Sequence, residues 1–145
     1  MDKITTVKWV DHLTMVAETA SGHAVVMDGP PDIGGQNLGP RPMEMVLVGL
    51  GGCTTVDVIM ILEKARQQVS GCRVEVSAER ADTVPKVYTR IHVHYVVSGR
   101  DLDPKKVERA VKLSAEKYCS VSKMLEQAAE VTHDFEIIDE TPPSD

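Results

Sequence analysis

Aromatic residues are nearly absent, with one Trp, one Phe and three Tyr in 145 residues. A core without rings has to be assembled from Val, Ile, Leu, Met and Ala, and a single domain of this length can bury one. A basic excess is missing too. Sixteen Lys and Arg stand against 22 Asp and Glu, a formal charge of −6. The bases are scattered rather than gathered into the patch or stripe that a nucleic acid requires. The opening MDKITTVKWV has no apolar stretch behind a basic start, so it does not read as a secretory signal. The greasiest segment, Met45 to Val56, falls short of the ~20 apolar residues that cross a bilayer. The expectation is a cytoplasmic chain with neither nucleic acid nor membrane as partner. Its three cysteines, an odd number in a reducing compartment, fit free or catalytic thiols better than a disulfide framework.

No repeat or linker divides the chain, so one domain over residues 1–140 is expected, with 141–145 (TPPSD) a disordered tail. Ile4 to Val10, His12 to Glu18 and His23 to Met27 are short, rich in Thr and Val, and read as a strand meander. DGPPDIGGQNLGPR, from Asp28 to Arg41, is dense in Gly and Pro, and a loop of that length is usually functional or mobile. Pro42 suits the first turn of a helix, here expected over Met43 to Val69. From Met45 to Val56 that helix carries no charge on any face, and a helix apolar all round is buried all round.

Two strands then alternate. Cys72, Val74, Val76 and Ala78 share one face, and Ile91, Val93, Tyr95 and Val97 oppose Arg90, His92 and His94. One dry and one wet face suggest an antiparallel sheet covered by helices on one side. Asp103-Pro104 is an N-cap followed by Pro at the first helical position, and Val107, Ala110, Val111, Ser114 and Tyr118 mark one helical face. A further helix from Val121 to Ala129, capped by Ser120, and a strand from Thr132 to Ile138 complete the order βββ-α-ββ-αα-β, an α+β chain. One sheet and two short helices hardly cover the Met45–Val56 segment. A homodimer is therefore expected, its long helices packed together near Gly51-Gly52.

Two thiols stand in unlike settings. Cys53 ends the apolar run PMEMVLVGLGGC, and Cys119 lies in AEKYCSVS. A reactive cysteine has to be a thiolate, which needs cationic or dipolar help. Asp57, one turn beyond Cys53, opposes ionisation, so by position alone Cys53 reads first as a small apolar filler of a helix contact. Cys119 reads evenly as a thiolate favoured by a helix start or as a junction residue packed under Tyr118. Cys72 is in phase with Val74 and Val76 and reads as core packing. His92 and His94 share a strand face, but two ligands are not a site, and a solvated face is the better reading. There is no phosphate loop and no nucleophile elbow, and neither cofactor nor metal is expected.

Pro42, the apolar helix with Gly49 four positions before Cys53, and the later Cys119-Ser120-Val121-Ser122 together resemble the OsmC/Ohr superfamily, the osmotically inducible protein C and organic hydroperoxide resistance proteins. The first stretch is similar to that family's Asn-Pro-Glu…Gly-x-x-x-Cys motif and the second to its Cys-x-x-Ser motif. The resemblance runs from the N-terminal meander to Ile138. It implies antiparallel sheets wrapped around long central helices in an intertwined homodimer, with a site at each subunit interface. It also implies that Cys53 attacks an organic hydroperoxide and becomes a sulfenic acid. Cys119 then resolves it as a disulfide, and an external dithiol reduces that. Peroxidase members carry a Glu directly after the Pro, where this chain has Met43 and then Glu44. They also use an N-terminal Arg, where the first Arg here is Arg41. Glu44 and Arg41 are the candidates for those supporting roles, in an OsmC-like member outside the well-understood peroxidase branch. The other function open to such a chain is to hold a small hydrophobic ligand, or to sense redox state, without turnover.

Overall fold

The computed structural model of the chain describes residues 1–143. Its α-carbons group into two compact units, Met1–Val48 and Gly49 to the C-terminus. In the first, β1 (Thr5–Asp11), β2 (Thr14–Thr19) and β3 (Ala24–Met27) form an antiparallel meander in that order. Tight turns join them. His12 takes a left-handed φ of 50° and Gly22 one of 85°, a conformation that glycine adopts without steric cost.

The Gly/Pro loop after β3 is held in place rather than loose. Asp28 is fully buried. Its carboxylate accepts from the Thr14 hydroxyl at 2.7 Å, from Gly29 N–H at 2.7 Å, and from the N–H groups of Gln36 and Leu38 at 3.3 Å. A Cβ on Gly35 would collide with the Gly29 carbonyl, and one on Gly39 with that of Val26, so the loop closes on itself only with glycine there.

Helix α1 runs Pro42–Lys64, five residues short of the expected Val69. It ends in a Schellman arrangement. Arg66 takes a left-handed φ of 57°, its N–H donates to Glu63 O, and Gln67 N–H donates to Leu62 O, both at 3.0 Å. That stop ordinarily carries Gly, and an Arg in its place gives a sequence reading nothing to stop on. Strand β4 therefore begins early, at Gln68, and runs to Arg80. It pairs antiparallel with β5 (Tyr88–Arg100) over its length, Cys72 opposite Val97 and Val76 opposite Val93.

The third strand of this sheet corrects the antiparallel expectation. β6 (Glu130–Asp139) lies parallel to β5, Tyr95 beside Phe135. Between them the chain crosses back through α2 (Pro104–Leu113), a π-helical turn (Ser114–Tyr118) and α3 (Ser120–Leu125). A helical crossover is what lets two successive strands run the same way.

The start of α2 is as expected. Asp103 is the N-cap, its Oδ1 accepting from Lys105 N–H at 2.9 Å, with Pro104 behind it. At α3 the cap is Cys119, not Ser120, and the helix stops at Leu125, not Ala129. Thr141 in the tail is bonded, its hydroxyl accepting from Asp101 N–H at 2.9 Å. Ser144 and Asp145, the end of the expected tail, lie outside the described residues.

The core of the second unit sits between α1, the dry face of β5, and α2. Leu50, Val58, Leu62, Ile91, Val97, Val107 and Val111 are all at least 99 % buried, each Val, Leu or Ile worth roughly 1.5–3 kcal/mol of burial. Helix α1 is not buried all round within the protomer. Leu50, Gly51, Thr54, Val58 and Leu62 face inward, while Val56 and Met60 are 57 % and 51 % exposed. By length and composition α1 could cross a bilayer, its most apolar stretch having a mean hydropathy of 2.1. That corrects the reading of the apolar run as too short. The ties of Thr54 and Asp57 to the rest of this unit mark it instead as the central helix of a folded domain.

Candidate thiol site

Cys53 and Cys119 come together. Cys53 is half-buried on α1, three residues beyond the buried Leu50, and Cys119 is fully buried at the junction of the π turn and α3. All three cysteines are free, and Cys53 lies near enough to Cys119 to act on its ionisation. Burial pushes the Cys119 thiol up to about 11, and the neighbouring Cys53 adds to the rise. The N–H of Ser122, 3.4 Å from Cys119 Sγ, pulls the other way and does not win. Of the two readings open for Cys119, the thiolate favoured by a helix start gives way to the packed, neutral thiol. Desolvation of a sulfur with no exposed surface outweighs the amides of Ser122 and Val121 at the head of a six-residue helix. Cys119 is a neutral thiol beside Cys53. Cys72, half-buried on β4, is also pushed up by burial, as suits a packing residue.

A buried hydroxyl network adjoins this pair, and the sequence reading passed over it. Thr54, the neighbour of Cys53, has its Oγ1 2.5 Å from Tyr95 OH and 2.6 Å from Ser114 Oγ. Ser114 in turn donates to Asp57 Oδ2 at 2.8 Å. Burial pushes Tyr95 up to about 12. A signal existed: Thr54 and Ser114 are the hydroxyls on otherwise apolar helix faces, which have to find partners when buried.

Tyr118 does not join the α2 face on which it was placed. The π turn, closed by Cys119 N–H to Ser114 O at 2.9 Å, is wider than an α turn, and it carries Tyr118 out of phase to 51 % exposure. There it helps line a cleft of about 440 Å3 with Asp57, Met60, Ile61, Lys64 and Arg109. Neither Cys53 nor Cys119 lines this cleft.

Arg41 and Glu44 are joined to each other in the first unit. Arg41 is the N-cap of α1, and its backbone N–H donates to Glu44 Oε1 at 2.8 Å, half of a capping box. The Arg41 guanidinium donates to Asn37 Oδ1 at 2.6 Å and to Gly39 O at 3.3 Å.

On the wet sheet face, His92 Nε2 and His94 Nδ1 lie 2.8 and 2.7 Å from the same Asp134 oxygen. Their other nitrogens meet Thr132 and Glu136. No group of three metal-ligating side chains placed to hold a metal occurs among the described residues.

An α+β chain whose long helix and helical crossover each carry one of two neighbouring thiols defines a class. The family model for OsmC-like proteins matches residues 34–134, and the chain belongs to the OsmC-like family. Protein YhfA of Escherichia coli (strain K12) is 49 % identical over 132 residues, covering 91 % of this chain and 96 % of that one. The crystal structure of a hypothetical protein from Aquifex aeolicus VF5 is 30 % identical, with a TM-score of 0.78 over 96 % of this chain and 99 % of that one. The organic hydroperoxide resistance protein OhrB of Bacillus subtilis shares the fold, at 18 % identity and a TM-score of 0.61 over 91 % of this chain and 96 % of that one.

Proposed function

We propose that this chain reduces organic hydroperoxides through Cys53, with Cys119 as the resolving thiol and an external dithiol as final reductant. The observation that carries the reading is the proximity of two free thiols, Cys53 on α1 and the buried Cys119 at the head of α3. Nucleophilic attack needs a thiolate, and the half-exposed Cys53 is the thiol of the pair that a substrate can reach. Cys53 sulfur attacks the terminal oxygen of the hydroperoxide and the O–O bond breaks. The alcohol leaves with a proton, and Cys53 is left as a sulfenic acid. Cys119 attacks that sulfur, the S–S bond forms, and water departs. The dithiol then returns both cysteines to thiols by exchange, becoming a disulfide itself.

The fold shared with OhrB, an organic hydroperoxide resistance protein, supports the same chemistry. So does the apolar stretch of α1 that carries Cys53, which suits alkyl rather than fully polar peroxides. Arg41 and Glu44, at the head of α1, are proposed to support the reaction. The working protein is proposed as a cytoplasmic homodimer, each chain one OsmC-like domain over residues 1–140.

Turnover of cumene hydroperoxide with a dithiol should be lost in Cys53→Ser and strongly reduced in Cys119→Ser. Unchanged rates in Cys53→Ser would overturn the reading. The cleft also favours a second one, non-catalytic capture of a small apolar ligand, to which inactive wild-type protein that retains such a ligand in native mass spectrometry would point.

A further inference from the structure

We propose that Thr54, Ser114 and Tyr95, anchored on Asp57, are positioning residues that set Cys119 against Cys53 for disulfide closure. The proposal rests on the peroxidase reading and adds to it the machinery of the resolving step.

The two sulfurs belong to different elements, so their separation is fixed by whatever locks those elements together. Thr54 directly follows Cys53 on α1. Ser114 opens the π turn whose far end is Cys119, and the Ser114 carbonyl accepts the Cys119 N–H at 2.9 Å. The hydroxyl bond between Thr54 and Ser114, 2.6 Å long, therefore ties the residue beside one sulfur to the residue that sets the backbone of the other. Ser122 closes the far side, its hydroxyl donating to Ala115 O at 3.2 Å, so that the first turn of α3 is tied to the π turn as well. Bulges of this type interrupt helices frequently at functional sites.

Proton counting gives the network one direction. A carboxylate only accepts, and each hydroxyl has one proton to donate. Ser114 gives its proton to Asp57. The contact between Thr54 and Ser114 must then be donated by Thr54, and the contact between Tyr95 and Thr54 by Tyr95. Every hydroxyl proton from Tyr95 to Asp57 is thereby committed. Thr54 and Ser114 are at least 99 % buried, as is Tyr95, so no water competes for these bonds. The Ser114 hydroxyl also lies 3.3 Å from the Thr54 carbonyl, so the π turn is tied to α1 at Thr54 through both side chain and backbone.

Position matters because Cys53 sulfenic acid has two fates. Cys119 can attack it, forming the S–S bond and releasing water. Alternatively a second hydroperoxide can transfer an oxygen to it, giving the sulfinic acid and an alcohol, from which an ordinary dithiol does not recover it. A misplacement on the order of 1 Å costs a proximity-driven step about a hundredfold. Loosening the network should slow closure while leaving the first attack at Cys53 alone.

The test compares wild type, Thr54→Val, Ser114→Ala and Tyr95→Phe with Thr54→Ser as the conservative rescue. Each folded variant is treated with cumene hydroperoxide and a dithiol, and Cys53 is scored by mass spectrometry as disulfide or sulfinic acid. Thr54→Val and Ser114→Ala should raise the sulfinic share at least fivefold per turnover, with the rate of sulfenic acid formation unchanged. Thr54→Ser should restore the wild-type ratio. Tyr95→Phe, which removes a single oxygen, serves if the other two fail to fold. Folded variants that keep the wild-type ratio, or that slow sulfenic acid formation as much as closure, would overturn the proposal.

A second readout separates this failure from that of the peroxidase reading. In glutathione redox buffers the same variants should form the Cys53–Cys119 disulfide at least fivefold less favourably than wild type. That holds whether or not the protein turns over hydroperoxide, and an unchanged equilibrium counts against the network alone.

Discussion

A thiol and a phenol buried without solvent make the chain sensitive to alkali. Both Cys119 and Tyr95 are held neutral by desolvation, the first raised from 9.0 to about 11 and the second from 10.0 to about 12. The folded chain keeps protons that the unfolded chain releases. The stability these groups provide is whole below pH 9 and is lost as pH rises through the folded values. Each group contributes a slope of up to about 1.4 kcal/mol per pH unit in its window. Urea midpoints measured between pH 8 and pH 11 should therefore fall, and Cys119→Ser should flatten the first part of the decline. Equal slopes in the variant and the wild type would show that the thiol is not the group responsible. Cys119 also marks where residue-level reading stopped. Its place at a helix start was legible, but its complete burial was not, because burial depends on how the π turn docks.

Among the elements, β5 and β6 were each legible from alternation, but not that they run parallel. Strand direction is fixed by the helical crossover between them, and nothing in the periodicity of either strand records it. The parallel register has a consequence on the wet face, where it puts Asp134 opposite His94 and Thr132 opposite His92. The Asp134 carboxylate at His94 Nδ1 raises the imidazole above its ordinary 6.5, and Glu136 assists, while the same histidine holds Asp134 below the usual carboxylate range. The attraction is fully present below about pH 6.5 and is lost as pH rises through the higher folded value of His94. In an NMR titration the His94 ring should titrate above 6.5, and Asp134→Asn should bring it down towards that value. An identical titration in the variant would show that the bond is not formed in solution. Helix boundaries were legible where a proline or an acidic cap wrote them, at Pro42 and Asp103-Pro104. They were not where Arg66 takes the place of glycine or a cysteine serves as cap.

At the scale of the whole molecule, the family resemblance and the order of elements were readable because the apolar helix and its two cysteines are local patterns. The Thr54–Ser114 bond was not, since its partners stand sixty residues apart and only the fold joins them. What the protomer leaves open is the outer face of α1. Gly52, Val56 and Met60 recur every four residues, the spacing of a helix ridge, and all three are exposed. Two copies of α1 crossing at Gly52 would bury the two side chains, with the glycine letting the backbones approach. Wild-type protein at micromolar concentration should then sediment at twice the 15.9 kDa of the chain. Gly52→Leu isolates the crossing, because a Cβ at Gly52 meets nothing within 4 Å in the protomer. Replacing Gly in a helix interior moreover favours the helix by up to about 1 kcal/mol. The variant should therefore fold at least as stably as wild type at the level of the protomer, yet sediment as a monomer, since the larger side chain would hold the two helices apart. A Gly52→Leu protein that remains dimeric at the same concentration would place the contact between copies on another face.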